Sequence, residues 1–303
     1  MKFLKYILIF IVVQSSFAQQ ETLFSEYMFN PSLFNPAYTG SRGVSSLYLH
    51  HRSQWVEMDG APKISYVGFQ TLLENQKVGL GFNAITESVG PIRSTTLNLD
   101  WSYHLQMGLV GKLAFGIKGT VDKLDVDLSG INQYQDDAYL YANIDRPFVT
   151  NFGVGFFYYT DRLYIGGSVP YIFSNRHYDS ATNYQAEDWS HVYLTAGYVF
   201  DLSSQLKFKP SIFYRSVPNV VHQFDISGNL LIDDKVQLGL TYRINTAYSV
   251  MTAFQISPQM LIGYSYDREA TELQQFNKGS HELFLRYEFS ILNKLKLQSP
   301  RFF

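Results

Sequence analysis

The sequence predicts an all-β protein: a closed, transmembrane, antiparallel β-barrel of about 14 strands, with long extracellular loops and short periplasmic turns. Three observations predict it. Strand-like segments alternate apolar and polar residues, the connections between them alternate in length, and the composition is poor in charge and rich in aromatics. Of 303 residues, 46% are hydrophobic, 17% aromatic and 17% charged, with 23 Tyr and 24 Phe. An average soluble domain is about 25% charged. A barrel meets lipid only at alternate positions, so it can carry this many aromatics while its mean hydropathy stays too low for a helical membrane protein.

The alternation is clearest in residues 281–289. Leu283, Leu285, Tyr287 and Phe289 point one way, and Glu282, Arg286 and Glu288 the other. In residues 93–105, Thr95, Leu97, Leu99, Trp101, Tyr103 and Leu105 oppose Asn98, Asp100, Ser102 and His104. Residues 235–243 set Val236, Leu238, Leu240 and Tyr242 against Lys235, Gln237, Thr241 and Arg243, and residues 206–215 place Lys207, Lys209, Ser211 and Arg215 on the polar face. Such charges fit a wet or networked lumen better than a dry sandwich core. Segments 112–120 and 151–159 carry glycines on the inner face, where glycine often marks close approach of another backbone, so a partly filled lumen is expected. The last strand is expected to pair with the Ser45 region, which removes the edge that lipid cannot satisfy.

Taken in order, the chain divides into four parts. Residues 1–18 read as a signal peptide: Lys2 and Lys5 precede an apolar run over residues 6–13, and Ser16-Phe17-Ala18 supplies the small-x-small cleavage site. Its removal takes two of 24 Lys+Arg and none of 26 Asp+Glu, leaving a formal charge of about −4, and nothing indicates a nucleic-acid partner. Residues 19–44 form a lead-in with two Asn-Pro turns, at Asn30-Pro31 and Asn35-Pro36, expected in the periplasm or the barrel mouth. Residues 45–290 are the barrel. Residues 291–303 are a basic tail, with Lys294, Lys296 and Arg301, expected in the periplasm beside the lead-in.

Within the barrel, the short turns fall at residues 72–76, 106–108, 160–162, 202–205, 233–234 and 257–259, and the other connections include four longer ones, at 54–62, 122–148, 169–190 and 267–279, with three tighter ones at 87–92, 216–220 and 245–246. Sorting of loops by length to opposite ends is what an outer-membrane barrel shows. Aromatics near strand ends, at Trp55, Tyr139, Tyr141, 156–159, Tyr171, Trp189, Phe213-Tyr214, Tyr264 and Tyr266, are expected as interfacial girdle residues.

The search for chemistry returns little. Cysteine is absent, so there is no disulfide framework or thiolate metal site. No G-x-S-x-G elbow, H-E-x-x-H pair or P-loop occurs. Seven histidines are scattered at 50, 51, 104, 177, 191, 222 and 281. His50 and His51 are neighbours and face opposite ways on a strand, while His104 and His281 are expected on polar faces as structural hydrogen-bonding groups. Asp122, Asp125, Asp127, Asp136, Asp137 and Asp145 read as a solvated acidic loop, since their spacing matches no EF-hand. Lys207, Lys209, Arg215, Lys235 and Arg243 are expected to pair with Asp100, Glu282 and Glu288 in a lumen network, because unpaired charge would repel itself. No catalytic, cofactor-binding or metal-ligating residue is assigned, and no enzyme activity is expected.

Several stretches carry a resemblance in order along the chain. They are the Glu26-Tyr27-Met28-Phe29-Asn30-Pro31 and Phe34-Asn35-Pro36-Ala37-Tyr38-Thr39-Gly40 lead-in, His51-Arg52-Ser53-Gln54-Trp55 with Asp59-Gly60-Ala61-Pro62-Lys63, Lys77-Val78-Gly79-Leu80-Gly81, Asn151-Phe152-Gly153-Val154-Gly155, Gly279-Ser280-His281-Glu282 and the tail Ser299-Pro300-Arg301-Phe302-Phe303. Together these resemble the PorP/SprF family of Bacteroidota outer-membrane proteins linked to type IX secretion and gliding motility. The resemblance implies a non-enzymatic barrel in the cell outer membrane, surrounded by lipid, without cofactor. It implies partnership with periplasmic type IX components and with secreted surface proteins such as gliding adhesins. Tyr27, Asn30, Pro31, Asn35, Pro36, Lys294, Lys296 and Arg301 are the expected partner-binding residues. A passive porin is the alternative reading, and an outer-membrane hydrolase a remote third.

Overall fold

The computed structural model describes residues 24–127, 144–145, 148–173, 175–179, 184–188, 190–217 and 222–290. Fourteen strands form the ring: β1 (Ser45–Ser53), β2 (Lys63–Leu72), β3 (Val78–Val89), β4 (Ile92–Met107), β5 (Gly111–Val126), β6 (Val149–Tyr159), β7 (Leu163–Val169), β8 (Val192–Tyr198), β9 (Leu206–Ser216), β10 (Gln223–Ile232), β11 (Val236–Arg243), β12 (Ala247–Ser257), β13 (Met260–Glu269) and β14 (Ser280–Phe289). Each pairs antiparallel with the next, and β1 pairs with β14 from Ser45↔Phe289 to Ser53↔His281, so the sheet closes on itself. Closure gives every strand a partner on both sides, the condition for a sheet in hydrocarbon. Short ladders at Ile144–Asp145 and Phe200–Asp201, and a hairpin of Asn175–Asp179 with Tyr184–Asp188, lie off this ring.

The expected short turns and the expected seam are both found. The β10–β11 connection turns through Asp233 and Asp234, whose φ of 50° and 52° put both in the left-handed region a tight hairpin requires. One expected loop is shorter than its sequence suggests: β5 runs to Val126, so Asp122 and Asp125 belong to a strand. There Asp122 accepts from the hydroxyls of Ser94 and Thr96, and Lys123 Nζ lies 2.9 Å from Asp125. Asp136 and Asp137 lie outside the described residues.

The outer surface is apolar. Leu99, Ile117, Phe152, Ile212, Leu240 and Val250 are all exposed on it, as lipid-facing positions must be. The buried face is polar: Asn98, Asp100, Ser102 and His104 alternate with the exposed residues of β4, as expected. His281 departs from expectation. Its odd position puts it with Leu283 on the outward face, where Nδ1 pairs with the Tyr264 hydroxyl at 2.6 Å instead of approaching a lumen carboxylate. The girdle is also smaller than expected, because Phe157, Tyr159 and Phe213 are buried inside, while Phe156 and Tyr264 are exposed. Tyr139, Tyr141 and Trp189 lie outside the described residues.

Candidate functional site

The lumen is filled by the chain's own lead-in. Residues 24–44 run down its length: Ser25 meets Asp267 and Glu282 near the loop-rich ends of β13 and β14, while Arg42 meets Glu288 at the other end of β14. Both Asn-Pro pairs shape this path. Asn30 and Asn35 precede two single-turn 3₁₀ helices, Pro31–Leu33 and Pro36–Tyr38, and each proline sits at the first helical position, where no N–H is needed. Asn35 works twice, accepting from Ala37 N at 3.0 Å and donating Nδ2 to the Phe156 carbonyl at 2.9 Å.

The wall is cut to receive this segment. A Cβ on Gly116 would lie 2.3 Å from Ala37 N, and one on Gly79 would lie 2.3 Å from the Thr39 carbonyl oxygen, distances no real Cβ adopts. The inner-face glycines therefore do what their positions suggested, admitting another backbone. The barrel's hydrophobic core is built across the same boundary. Phe24, Tyr27, Met28, Phe29 and Phe34 of the lead-in pack with Tyr48, Tyr193, Phe213 and Phe284 of the wall, and Tyr38 packs with Phe157, Tyr159 and Tyr164. Tyr27 stacks on Phe213 at 4.5 Å between ring centroids, and its hydroxyl shares a 2.9 Å hydrogen bond with Ser227. Phe157, Tyr159 and Phe213, expected at the membrane interface, serve this core instead.

Polar contacts complete the seal. The Thr39 carbonyl accepts from the Ser102 hydroxyl at 2.6 Å and from His104 Nε2 at 2.9 Å, which places the imidazole proton on Nε2 and leaves Nδ1 facing the Tyr159 hydroxyl at 3.0 Å. Lys118 Nζ reaches the carbonyls of Ser32 and Leu33 at 3.4 Å and lies 3.3 Å from Asp100. Ser168 donates to the Phe34 carbonyl at 2.9 Å. Among the described residues, cavities beside the lead-in include one of about 20 Å³ near Tyr27 and Phe34 and two of about 10 Å³, near Asn30 and Asp100 and near Glu26 and His50, each room for one or two waters.

The lumen charges form a network, and several of its pairs bring in residues the sequence did not suggest. Asp100 pairs with Lys118, Glu282 with Arg52, and Glu288 with Arg42 and Arg286. Arg243 engages both oxygens of Asp225 at 3.1–3.2 Å, and Lys207 reaches Asp234 in the β10–β11 turn. Lys235 is exposed. Strand parity tells which side chains face inward, but the pairing depends on which strands meet across the curved lumen. Of the cluster around Arg52, sequence reading had only Glu282 as a network member. Glu26, Asp267 and the inward-facing His50 were missed, and the one available signal was the alternation itself. Burial pushes the Glu26 carboxyl up to about 8, with Asp267 adding to the rise and Ser265 and Arg52 opposing it.

The expected partner-binding residues divide. Tyr27, Asn30 and Asn35 are buried within the barrel, with Pro31 and Pro36 in the two 3₁₀ turns beside them. Lys294, Lys296 and Arg301 lie outside the described residues.

Among solved structures, the chain resembles the outer membrane protein Omp33 of Acinetobacter baumannii at 7% identity, covering 81% of this chain and 98% of that one with a TM-score of 0.49. It also resembles KdgM porin at 11% identity, covering 80% and 99% with a TM-score of 0.41. No curated protein matches. Residues 16–287 match the family described as type IX secretion system membrane protein PorP/SprF, and the chain belongs to that family.

Proposed function

We propose that this protein is a non-enzymatic component of the type IX secretion machinery in the cell outer membrane, supporting export or surface attachment of particular secreted proteins such as gliding adhesins. It works by protein contacts at its two rims, and not by conducting solutes through its lumen. The observation that supports this reading over a passive porin is the filled lumen. A lead-in seated in glycine-lined grooves and built into the barrel's hydrophobic core leaves spaces of about 20 and 10 Å³, whereas a porin keeps a water-filled channel.

In this reading the long connections over residues 127–148 and 170–191 form the outer contact surface. The basic tail with Lys294, Lys296 and Arg301 supplies the charged part of a periplasmic docking face. Tyr27, Asn30, Pro31, Asn35 and Pro36 contribute by fixing the lead-in, whose Arg42 end meets Glu288 near the short turns. The test is a gene deletion followed by surface-shaving mass spectrometry. One or a few surface proteins should disappear from the cell surface and return on complementation. An unchanged surface proteome would refute the proposal.

A further inference from the structure

One buried cluster plays no part in the proposed function. Glu26 of the lead-in, His50 of β1 and Glu282 of β14 each bring a ligating atom within 4.8 Å of the other two. His50 Nε2 lies 3.1 Å from Glu282 Oε2 and 3.6 Å from Glu26 Oε2. Ligands held about 2.0–2.1 Å from a tetrahedral ion lie about 3.3 Å apart, and the two observed separations straddle that value.

The surroundings orient these atoms. Glu282 divides its oxygens: Oε1 accepts the Ser25 N–H at 3.0 Å and the Arg52 guanidinium, which leaves Oε2 turned toward His50. That arrangement is what outer-shell partners do for a metal-binding carboxylate. The Phe24 ring meets the imidazole edge-on at 5.0 Å, and Tyr48 lies nearly parallel to it. Glu26 is 2% exposed, and neither of its carboxylate oxygens has a hydrogen-bond partner among the described residues.

Charge points the same way. Glu26, Asp267 and Glu282 lie around one guanidinium, Arg52, while Arg243 beyond them is engaged by both oxygens of Asp225. Even with Glu26 protonated, Asp267 and Glu282 against one guanidinium leave one negative charge beside a neutral imidazole. Buried excess charge is costly unless a counter-charge is supplied.

We propose that Glu26, His50 and Glu282 form a buried divalent-cation site, suited to zinc, that staples the lead-in to the seam where β1 meets β14. One imidazole and two carboxylates fit zinc with a water in the fourth position, whereas calcium takes six to eight oxygen ligands. The three ligands come from the start, the first strand and the last strand of the described chain, so one ion ties plug and closure together.

The test uses the full mature chain without an affinity tag, purified in detergent and stripped with a chelator. After dialysis against Zn²⁺, elemental analysis should find about one zinc per chain, and zinc added to the stripped protein should raise its Tm. Glu26→Gln should weaken zinc binding at least ~10-fold. His51→Asn, on the outward face of the same strand, should leave it unchanged. Heat-dependent migration on gels reports whether each variant is a closed barrel. Less than half a zinc per wild-type chain, or equal zinc binding by folded Glu26→Gln, would overturn the proposal. So would a wild-type Tm that zinc does not move, an outcome that stays decisive if the variant fails to fold.

Discussion

Arg243 and Asp225 show how individual residues keep charge inside this barrel. Their bidentate contact joins adjacent strands at the Asp225↔Arg243 register, and both side chains are almost wholly buried. Such a pair stabilises little against an apolar replacement, but losing one partner strands the other. Asp225→Ala should therefore destabilise the barrel by ~3–5 kcal/mol, while the double variant Asp225→Leu with Arg243→Met should recover most of that loss. Denaturant unfolding in detergent, followed by tryptophan fluorescence, measures both. A double variant no more stable than the single one would show that the pair matters for another reason. At this scale the sequence was half legible. Alternation placed Asp100, Arg243, Glu282 and Glu288 on the inner face correctly, but their partners Lys118, Asp225, Arg52, Arg42 and Arg286 depend on strand register and curvature, which a one-dimensional period of two does not contain.

At the scale of elements, the lead-in is what separates this barrel from an open channel. Among the described residues it makes no ladder with the ring: its backbone turns through two 3₁₀ helices of its own, and its contacts with the wall run through side chains and scattered carbonyls. The ring's hydrogen bonds should therefore survive without it. Deleting residues 24–40 while keeping residues 1–23 should give a barrel that still inserts, and its lumen should then conduct. Planar-bilayer recording checks this: steady single-channel steps are expected from the deletion protein and none from the wild type. A silent deletion protein would mean that something else closes the lumen. The sequence carried two hints of this element. Inner-face glycines signalled close approach of a backbone, and the paired Asn-Pro turns signalled a fixed path. The two could not be joined on paper, because Gly116 and Ala37, or Gly79 and Thr39, are distant in sequence and become neighbours only when the ring closes around the lead-in.

For the whole molecule, the longer connections open at one rim, beside tight turns at residues 90–91 and 244–246, while the other rim carries only short turns. The lead-in's last residues and the end of β14 lie together at the short-turn rim, where Arg42 meets Glu288. Under the proposed function, removing residues 292–303 should leave a barrel that assembles normally, judged by heat-dependent gel migration, yet fails to support surface display of its client proteins. A truncated protein that assembles and displays those clients at wild-type levels would remove the tail from the docking face. A loss of assembly would instead make the tail part of barrel biogenesis.

What the sequence determined by itself was the barrel. The period-2 alternation, the sorted loop lengths and the 281–289 strand pointed to the fold, to about 14 strands and to the closing pair, because in a sheet the face of each residue follows from its parity and closure follows from the cost of an unpaired edge in lipid. Tertiary structure alone decided what the barrel contains. The filled lumen, the aromatics turned inward to grip it, the ion-pair partners and the Glu26–His50–Glu282 cluster all join residues distant in sequence, and only closure of the ring around the lead-in sets those distances.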